Sequence, residues 1–260
     1  MDFKDKVVLI TGSSSGIGAG TAELLSTFGA SLVLVGRNLD NLQKVEEKCI
    51  KAAAPGTPKP LTLQADVTLE ADVTRIIDET LKKFQKLDVL INNAGIIGVG
   101  SIEQTSLEQY DSIMNTNMRS IYHLTMLAVP HLIKTQGCIV NVSSVNGIRA
   151  FAGVLAYCVS KAALDQFTRC TALELAAKKV RVNAVNPGVI VTEIHKRGGM
   201  DEQAYQAFLE KCKQTHALGR PGKVDEVAQA IAFLANNELS SFITGASLPI
   251  DGGRHAMCPR

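Results

Sequence analysis

"VVLITGSSSGIG", residues 7–18, is the stretch from which the fold is read. Val7 to Ile10 are apolar on successive residues rather than alternating, the pattern of a strand covered on both faces. Gly12, Gly16 and Gly18 then allow a tight turn and a close approach of backbone to a ligand. From Ile17 the apolar spacing becomes helical and continues to Phe28. A buried strand, a glycine turn and a helix make a strand–helix unit. The free N–H groups at the start of that helix favour a phosphate. The spacing is G-x-x-x-G-x-G rather than G-x-G-x-x-G, and glycine in such a turn serves packing as well as phosphate binding.

The same succession recurs along the chain. Strand-like runs begin at Lys6 (KVVLIT), Ser31 (SLVLVG), Leu61 (LTLQAD), Leu87 (LDVLIN), Cys138 (CIVNVS), Val180 (VRVNAV) and Ala246 (ASLPID). Helical patterns occupy residues 17–28, 40–53, 71–84, 107–133, 155–177 and 223–235. Strand–helix alternation predicts an α/β fold: one doubly wound domain over residues 1–260, with a mainly parallel seven-stranded sheet and helices on both faces. Residues 194–219 break the alternation with a glycine pair and a short amphipathic helix. That segment is expected to be a lid over a ligand site or a surface excursion.

Composition narrows the function classes. The 260 residues are 46% apolar and 20% charged, with net charge +2 and no block of like charge, which argues against a nucleic-acid partner. No apolar run approaches the ~20 residues of a membrane span. The charged start "MDFKDK" does not look like a signal or transit peptide. Six cysteines without paired spacing are expected to be reduced thiols in a cytoplasmic protein, with an organelle left open. Five histidines without H-x-x-x-H or Cys/His pairing predict no metal.

The second strand-like run ends in "GRN", Gly36 to Asn38. A NAD-binding unit places a carboxylate there for the ribose hydroxyls, whereas Arg37 offers a planar fork suited to a 2′-phosphate. NADP(H) is therefore favoured over NAD(H). Ser13 and Ser14 could add hydroxyl donors, although serines in such turns often satisfy backbone only.

Five motifs now stand in order: "TGSSSGIG" (11–18), "NNAG" (92–95), "NVSS" (141–144), "YCVSK" (157–161) and "NPGVIVT" (186–192). Together they resemble the short-chain dehydrogenase/reductase family in its compact, Rossmann-like form, from Lys6 to Gly253. Reductases of 3-oxoacyl carrier proteins and animal hydroxysteroid or carbonyl reductases are the members most similar. The resemblance implies a catalytic set of Ser144, Tyr157, Lys161 and Asn117, with Ser143 and Asn115 as lesser rivals. It implies a cofactor cradle of Gly12, Ser13, Ser14, Ser15, Gly16, Ile17 and Gly18, with Arg37 and Asn38 at the ribose and Asp66 and Val67 at the adenine. Asn92, Ala94 and Gly95 would lie against the cofactor, and Asn93 against it or bracing the sheet. Tyr157, Lys161, Pro187, Gly188, Ile190 and Thr192 would line the nicotinamide end. It further implies a homotetramer through the helices at 107–133 and 155–177 and the last strand.

The chemistry of that set follows from its residue types. Hydride addition to a carbonyl leaves an alkoxide that needs a proton as it forms, and a tyrosine can donate it. Tyr157 and Lys161 stand four apart, on one helix face. An ammonium about 4 Å from the phenol would contribute on the order of 4 kcal/mol at an effective dielectric of 20, enough to lower its pKa from ~10 by roughly three units. Ser144 would hold the carbonyl oxygen, and Asn117 would position a water linking Lys161 to solvent. Ile96, Ile97, Val145, Asn146, Val154, Val189 and Ile194 are expected at the substrate wall. Their mostly apolar character suggests a lipophilic ketone or secondary alcohol: a steroid, a fatty or isoprenoid carbonyl, or a quinone. The alternatives are an NAD(H)-dependent alcohol dehydrogenase working oxidatively, or an idle dinucleotide-binding regulator.

Overall fold

The computed structural model describes residues 1–258; Pro259 and Arg260, which end the tail at 254–260, lie outside the described residues. Seven strands form one sheet: β1 (Val7–Thr11), β2 (Ser31–Gly36), β3 (Leu61–Gln64), β4 (Val89–Asn92), β5 (Cys138–Val142), β6 (Arg181–Pro187) and β7 (Ser247–Ile250). Their order is β3-β2-β1-β4-β5-β6-β7, and every neighbouring pair is parallel, from Val7 opposite Ser31 to Pro187 opposite Ile250. All seven expected runs form strands, and the sheet is wholly rather than mainly parallel.

The helices are α1 (Gly16–Thr27), α2 (Leu39–Ala52), α3 (Glu70–Phe84), α4 (Leu107–Met114), α5 (Ser120–Thr135), α6 (Leu155–Ala176), α7 (Ile194–Arg197), α8 (Glu202–Thr215) and α9 (Val224–Ala235). Alternate residues of β1 feed two cores. Val8 and Ile10 pack with Leu25 of α1, Leu42 of α2 and Ile231 of α9. Val7 and Leu9 pack with Ile76 of α3, Leu124 of α5 and Leu175 of α6. The strand side-chain period of two sends successive residues to opposite faces, which is why an unbroken apolar run suits this sheet. Each such buried side chain stabilises the fold by about 1.5–3 kcal/mol.

After β3, at one edge, the chain returns to place β4 beside β1. Connections from β1 and β4 therefore leave in opposite directions and open a crevice above their carboxyl ends. The floor of that crevice is tightly packed. Asn93 Nδ2 donates to Thr11 O (2.8 Å) and Gly12 O (3.1 Å), tying the end of β4 to the glycine turn.

The single helix expected over 107–133 is instead α4 and α5 joined by a π-helical turn, Asn115–Arg119. Asn117 lies fully buried in this wide turn. Its Oδ1 accepts from Ile96 N and its Nδ2 donates to Ile96 O, both at 2.9 Å, and Nδ2 also donates to Ser160 Oγ at 3.1 Å. The turn holds one extra residue, a slip too small for apolar periodicity to reveal.

Gly18 shows how little room the first turn leaves. A Cβ there would sit 2.4 Å from Asn93 Nδ2 and 2.5 Å from Gly12 O. Gly18→Ala is expected to lower unfolding free energy by about 1–3 kcal/mol in urea denaturation; an unchanged midpoint would show that the turn has slack.

Candidate active site

A cavity of about 820 Å³ follows the carboxyl ends of the strands. At its phosphate end it is lined by Gly12, Ser14, Ser15, Gly16 and Ile17. Gly12 and Gly16 have φ of 64° and 56°, a region that favours glycine. Ser15 precedes α1 without capping it through its side chain, so the N–H groups of the first helical turn remain for a ligand. Its hydroxyl instead accepts from Arg197 Nη2 at 3.1 Å, bridging the cleft from α7. This uncapped, glycine-lined, cation-flanked turn fits a dinucleotide diphosphate. Two expected members lie elsewhere. Ser13 is buried and donates its hydroxyl to Val35 O (3.2 Å), and Gly18 lies beneath the turn against Asn93; neither lines the cavity.

At the ribose and adenine end, Arg37, Asn38, Asp66 and Val67 line the rim. The Arg37 side chain is 72% exposed and lies 3.8 Å from Asp66 Oδ2, a weak, solvent-screened contact. Asn38 Oδ1 caps α2 by accepting from Asn41 N at 2.8 Å. Asp66 Oδ1 accepts from the backbone and hydroxyl of Thr68, leaving Oδ2 towards Arg37.

In the middle, Asn93, Ala94 and Gly95 line the cavity, and Thr11 Oγ1 accepts from the backbone of Asn93 and Ala94 at 3.0 Å each. The side chain of Asn93 takes the bracing role. Asn92, expected against the cofactor, is buried and donates to Asn141 Oδ1 (2.9 Å) and Thr125 Oγ1 (3.2 Å) inside the fold. Alternation along β4 turns it away from the crevice. Opposite, Pro187, Gly188, Val189, Ile190 and Thr192 line the cavity after β6. Buried His216 props this segment, its Nε2 accepting from Val189 N at 3.2 Å. Burial and nearby Arg254 lower its pKa, favouring the neutral ring that acceptance requires. Tyr205 Oη donates to Thr192 O at 3.0 Å. No motif signals either prop, because each acts on backbone across the fold.

Ser144, Tyr157 and Lys161 meet in this cavity. Ser144 caps a short 3₁₀ turn (Val145–Gly147), its Oγ accepting from Asn146 N (3.1 Å) and donating to Asn146 Oδ1 (3.3 Å). Ser143 also lines the cavity, but its hydroxyl donates to Lys161 O at 3.2 Å, which separates the roles of the two serines. Lys161 Nζ donates to Val142 O at 2.8 Å and lies 5.7 Å from the Tyr157 ring centroid. Burial lowers the Lys161 pKa to about 8, with Asp165 opposing the shift. The expected three-unit fall at Tyr157 is absent. Burial pushes its phenol up to about 12, and the adjacent Ser144 hydroxyl offsets only part of this. Desolvation of the phenolate outweighs the ammonium, which points to the Val142 carbonyl. Asn115 is exposed; Asn117 lies behind the lining, its side chain bonded to Ile96 and Ser160.

Ile96, Ile97, Val145, Asn146, Val154, Val189 and Ile194 also line the cavity. The segment at 194–219 forms α7 and α8 and contributes His195, Arg197, Met200 and Phe208. Phe151 and Arg254 line it too, and neither carries a motif signal. The described residues hold no group of three or more His, Cys, Asp or Glu placed to bind a metal.

Comparison with known proteins agrees with this geometry. A family model described as enoyl-(acyl carrier protein) reductase matches residues 12–255. The 3-oxoacyl-(acyl-carrier-protein) reductase of Thermotoga maritima is 38% identical over 257 residues, covering 97% of this chain and 99% of the relative. The meso-2,3-butanediol dehydrogenase of Serratia marcescens is 35% identical over 256 residues, covering 98% and 97%. A crystal structure of a short-chain dehydrogenase/reductase of unknown function from Caenorhabditis elegans, with cofactor, superposes with a TM-score of 0.93 at 38% identity, covering 98% and 97%. The chain belongs to the short-chain dehydrogenase/reductase family, as an oxidoreductase that works with a nicotinamide dinucleotide on alcohols and ketones.

Proposed function

We propose that the whole chain forms one domain that catalyses NADP(H)-dependent, reversible interconversion of a carbonyl and a secondary alcohol. The observation that carries this is the meeting of Ser144, Tyr157 and Lys161 in the same cavity as the uncapped glycine turn. The bound nicotinamide would supply or accept the hydride. Gly12, Ser14, Ser15, Gly16 and the first turn of α1 would hold the diphosphate, with Arg197 closing over Ser15. Arg37 would take the 2′-phosphate, and Asp66 and Val67 the adenine. Ala94, Gly95, Pro187, Gly188, Ile190 and Thr192 would flank the nicotinamide.

Ser144 Oγ would donate to the substrate oxygen, and Tyr157 Oη would pass its proton to that oxygen as negative charge develops. Burial keeps the phenol protonated at neutral pH, the form that donates to a substrate oxygen. Lys161 would bind the nicotinamide ribose and stabilise the phenolate once the proton leaves. Asn117 is a positioning residue, holding Ile96 and with it the loop after β4. Ile97, Val154, Val189 and Ile194 would contact an apolar part of the substrate, and Asn146 a polar one. The lid formed by α7 and α8 would exclude water.

Exposed apolar side chains on α5 (Tyr122, Met126) and α6 (Val159, Leu173) support association into a homotetramer through those helices. No helix among the described residues is long and apolar enough to cross a membrane, and the six cysteines are unpaired; a cytoplasmic location is in keeping with both.

Tyr157→Phe is expected to bind NADPH with unchanged affinity by fluorescence titration while turnover of ketones falls about 10²–10⁴-fold. Full activity in that variant would remove Tyr157 as the acid. Arg37→Asp should raise the KM for NADPH at least about tenfold and leave that for NADH unchanged or lower. An unaltered ratio would take Arg37 out of cofactor choice. Lys161 loses its proton near pH 8 in the fold and near its ordinary value of 10.5 when unfolded. Over that window the unfolded chain binds more protons, so stability rises with pH. Urea denaturation at pH 8 and pH 10 should show the wild type gaining stability relative to Lys161→Met; a pH-independent difference would mean that the ammonium is solvated.

A further inference from the structure

The cavity is strongly one-sided in charge. Arg37, Lys161, Arg197 and Arg254 line it against a single carboxylate, Asp66, which sits at the adenine rim with Arg37. Three of the four cations have tasks in the proposed reaction. Arg254 does not, and it lies at the opposite end from the adenine rim, its guanidinium 4.5 Å above the Phe151 ring. Phe151 belongs to the loop that leads into α6, six residues before Tyr157.

Arg254 is half-buried, yet among the described residues its guanidinium makes no hydrogen bond and no ion pair. The neighbouring carboxylate, Asp251, supports the Arg254 charge through space, but its oxygens are bonded to other groups. Asp251 holds the His255 ring at 2.9 Å and accepts from the backbone N–H groups of Gly253 (3.0 Å) and His255 (2.6 Å). The turn bearing Arg254 is also held firmly. Arg149 donates to His255 O and Met257 O, and Arg254 N donates to Asp251 O at 3.1 Å. A cavity-lining guanidinium held over an aromatic ring, with its donors unpartnered among the described residues, is suited to bidentate capture of a carboxylate. Solvent alone would need neither the stack nor the anchored turn.

We propose that Arg254 binds a carboxylate of the substrate, so that the enzyme acts on oxo acids or hydroxy acids: the carbonyl or alcohol carbon stands at Ser144 and Tyr157, and an apolar chain runs past Phe151, Met200 and Phe208 to the acid. This rests on the proposed reaction and narrows its substrate from a neutral lipophilic ketone to an amphipathic one. The walls keep their apolar role as the seat of the chain between the two polar ends.

The test is calorimetric titration of the full chain, with and without NADP⁺, using straight-chain 4-oxo to 8-oxo acids and the methyl ester of each. At the chain length that spans the site, the acid should bind about tenfold tighter than its ester, the difference expected of one charge-assisted pair. Arg254→Gln and Arg254→Met should bring that ratio close to one, and Arg254→Lys should keep part of it. A wild-type ratio near one at every length, or a preference that survives in both neutral variants, would overturn the proposal. Turnover of the same compounds with NADPH is read separately. Esters reduced as well as acids would leave the oxidoreductase standing and refute the role of Arg254. Selective acid binding without reduction of any compound would keep the carboxylate site and refute the proposed reaction.

Discussion

A lysine ammonium that is only 3% exposed needs an acceptor, because an unmatched buried charge is strongly destabilising. Lys161 finds it in the carbonyl of Val142, the last residue of β5. Much of the site hangs on that bond. It fixes α6 against the end of β5, and so sets Tyr157, one helical turn earlier, over Ser144, two residues beyond Val142. Ser143 reinforces the joint by donating to Lys161 O, and Asp165, one turn later, takes Asn186 Nδ2 from β6 through both carboxylate oxygens. Residues 157, 161 and 165 thus form a column along one helix face, pinned at successive turns to the ends of adjacent strands.

The unequal charge of the cleft is assembled from distant parts of the chain. Arg37 follows β2, Lys161 lies in α6, Arg197 ends α7 and Arg254 follows β7. Low-dielectric walls focus such a field and raise the local concentration of anions. The same field works against oxidation of a cationic substrate and in favour of anionic groups at both ends of a bound pair. The segment of α7 and α8 contributes one of these cations, so its position sets the electrostatics of the site as well as its walls.

What was legible in the sequence was local. Strands with both faces covered reveal themselves by unbroken apolar runs, and all seven were found. Turns at strand ends declare themselves by glycine and asparagine, so the cavity lining from Gly12 to Thr192 was largely named in advance. Three kinds of feature were hidden. Alternation at a strand end decides whether a residue faces ligand or core, and Asn92 and Ser13 turned inward where the motif alone suggested otherwise. Desolvation depends on the assembled environment, so the phenol of Tyr157 rises where a pairwise Coulomb argument lowers it. Contacts between distant segments leave no local mark: Arg197 meets Ser15 across 182 positions, and His216 holds Val189 across 27.

The π-helical turn at Asn115–Arg119 also constrains which sequence changes this fold can absorb. An ordinary helix advances 100° per residue, and a wide turn absorbs its extra residue, so the helix after it keeps the rotational phase it would have had without that residue. Deleting a single position there would let α4 and α5 fuse into one regular helix with the face of α5 unchanged. Leu124 and Ala128 would stay in the core and Tyr122 and Met126 outside it, but the widened turn that seats Asn117 against Ile96 and Ser160 would be lost. The extra residue therefore serves the site rather than the core: it can be removed without unpacking α5, but not without moving Asn117.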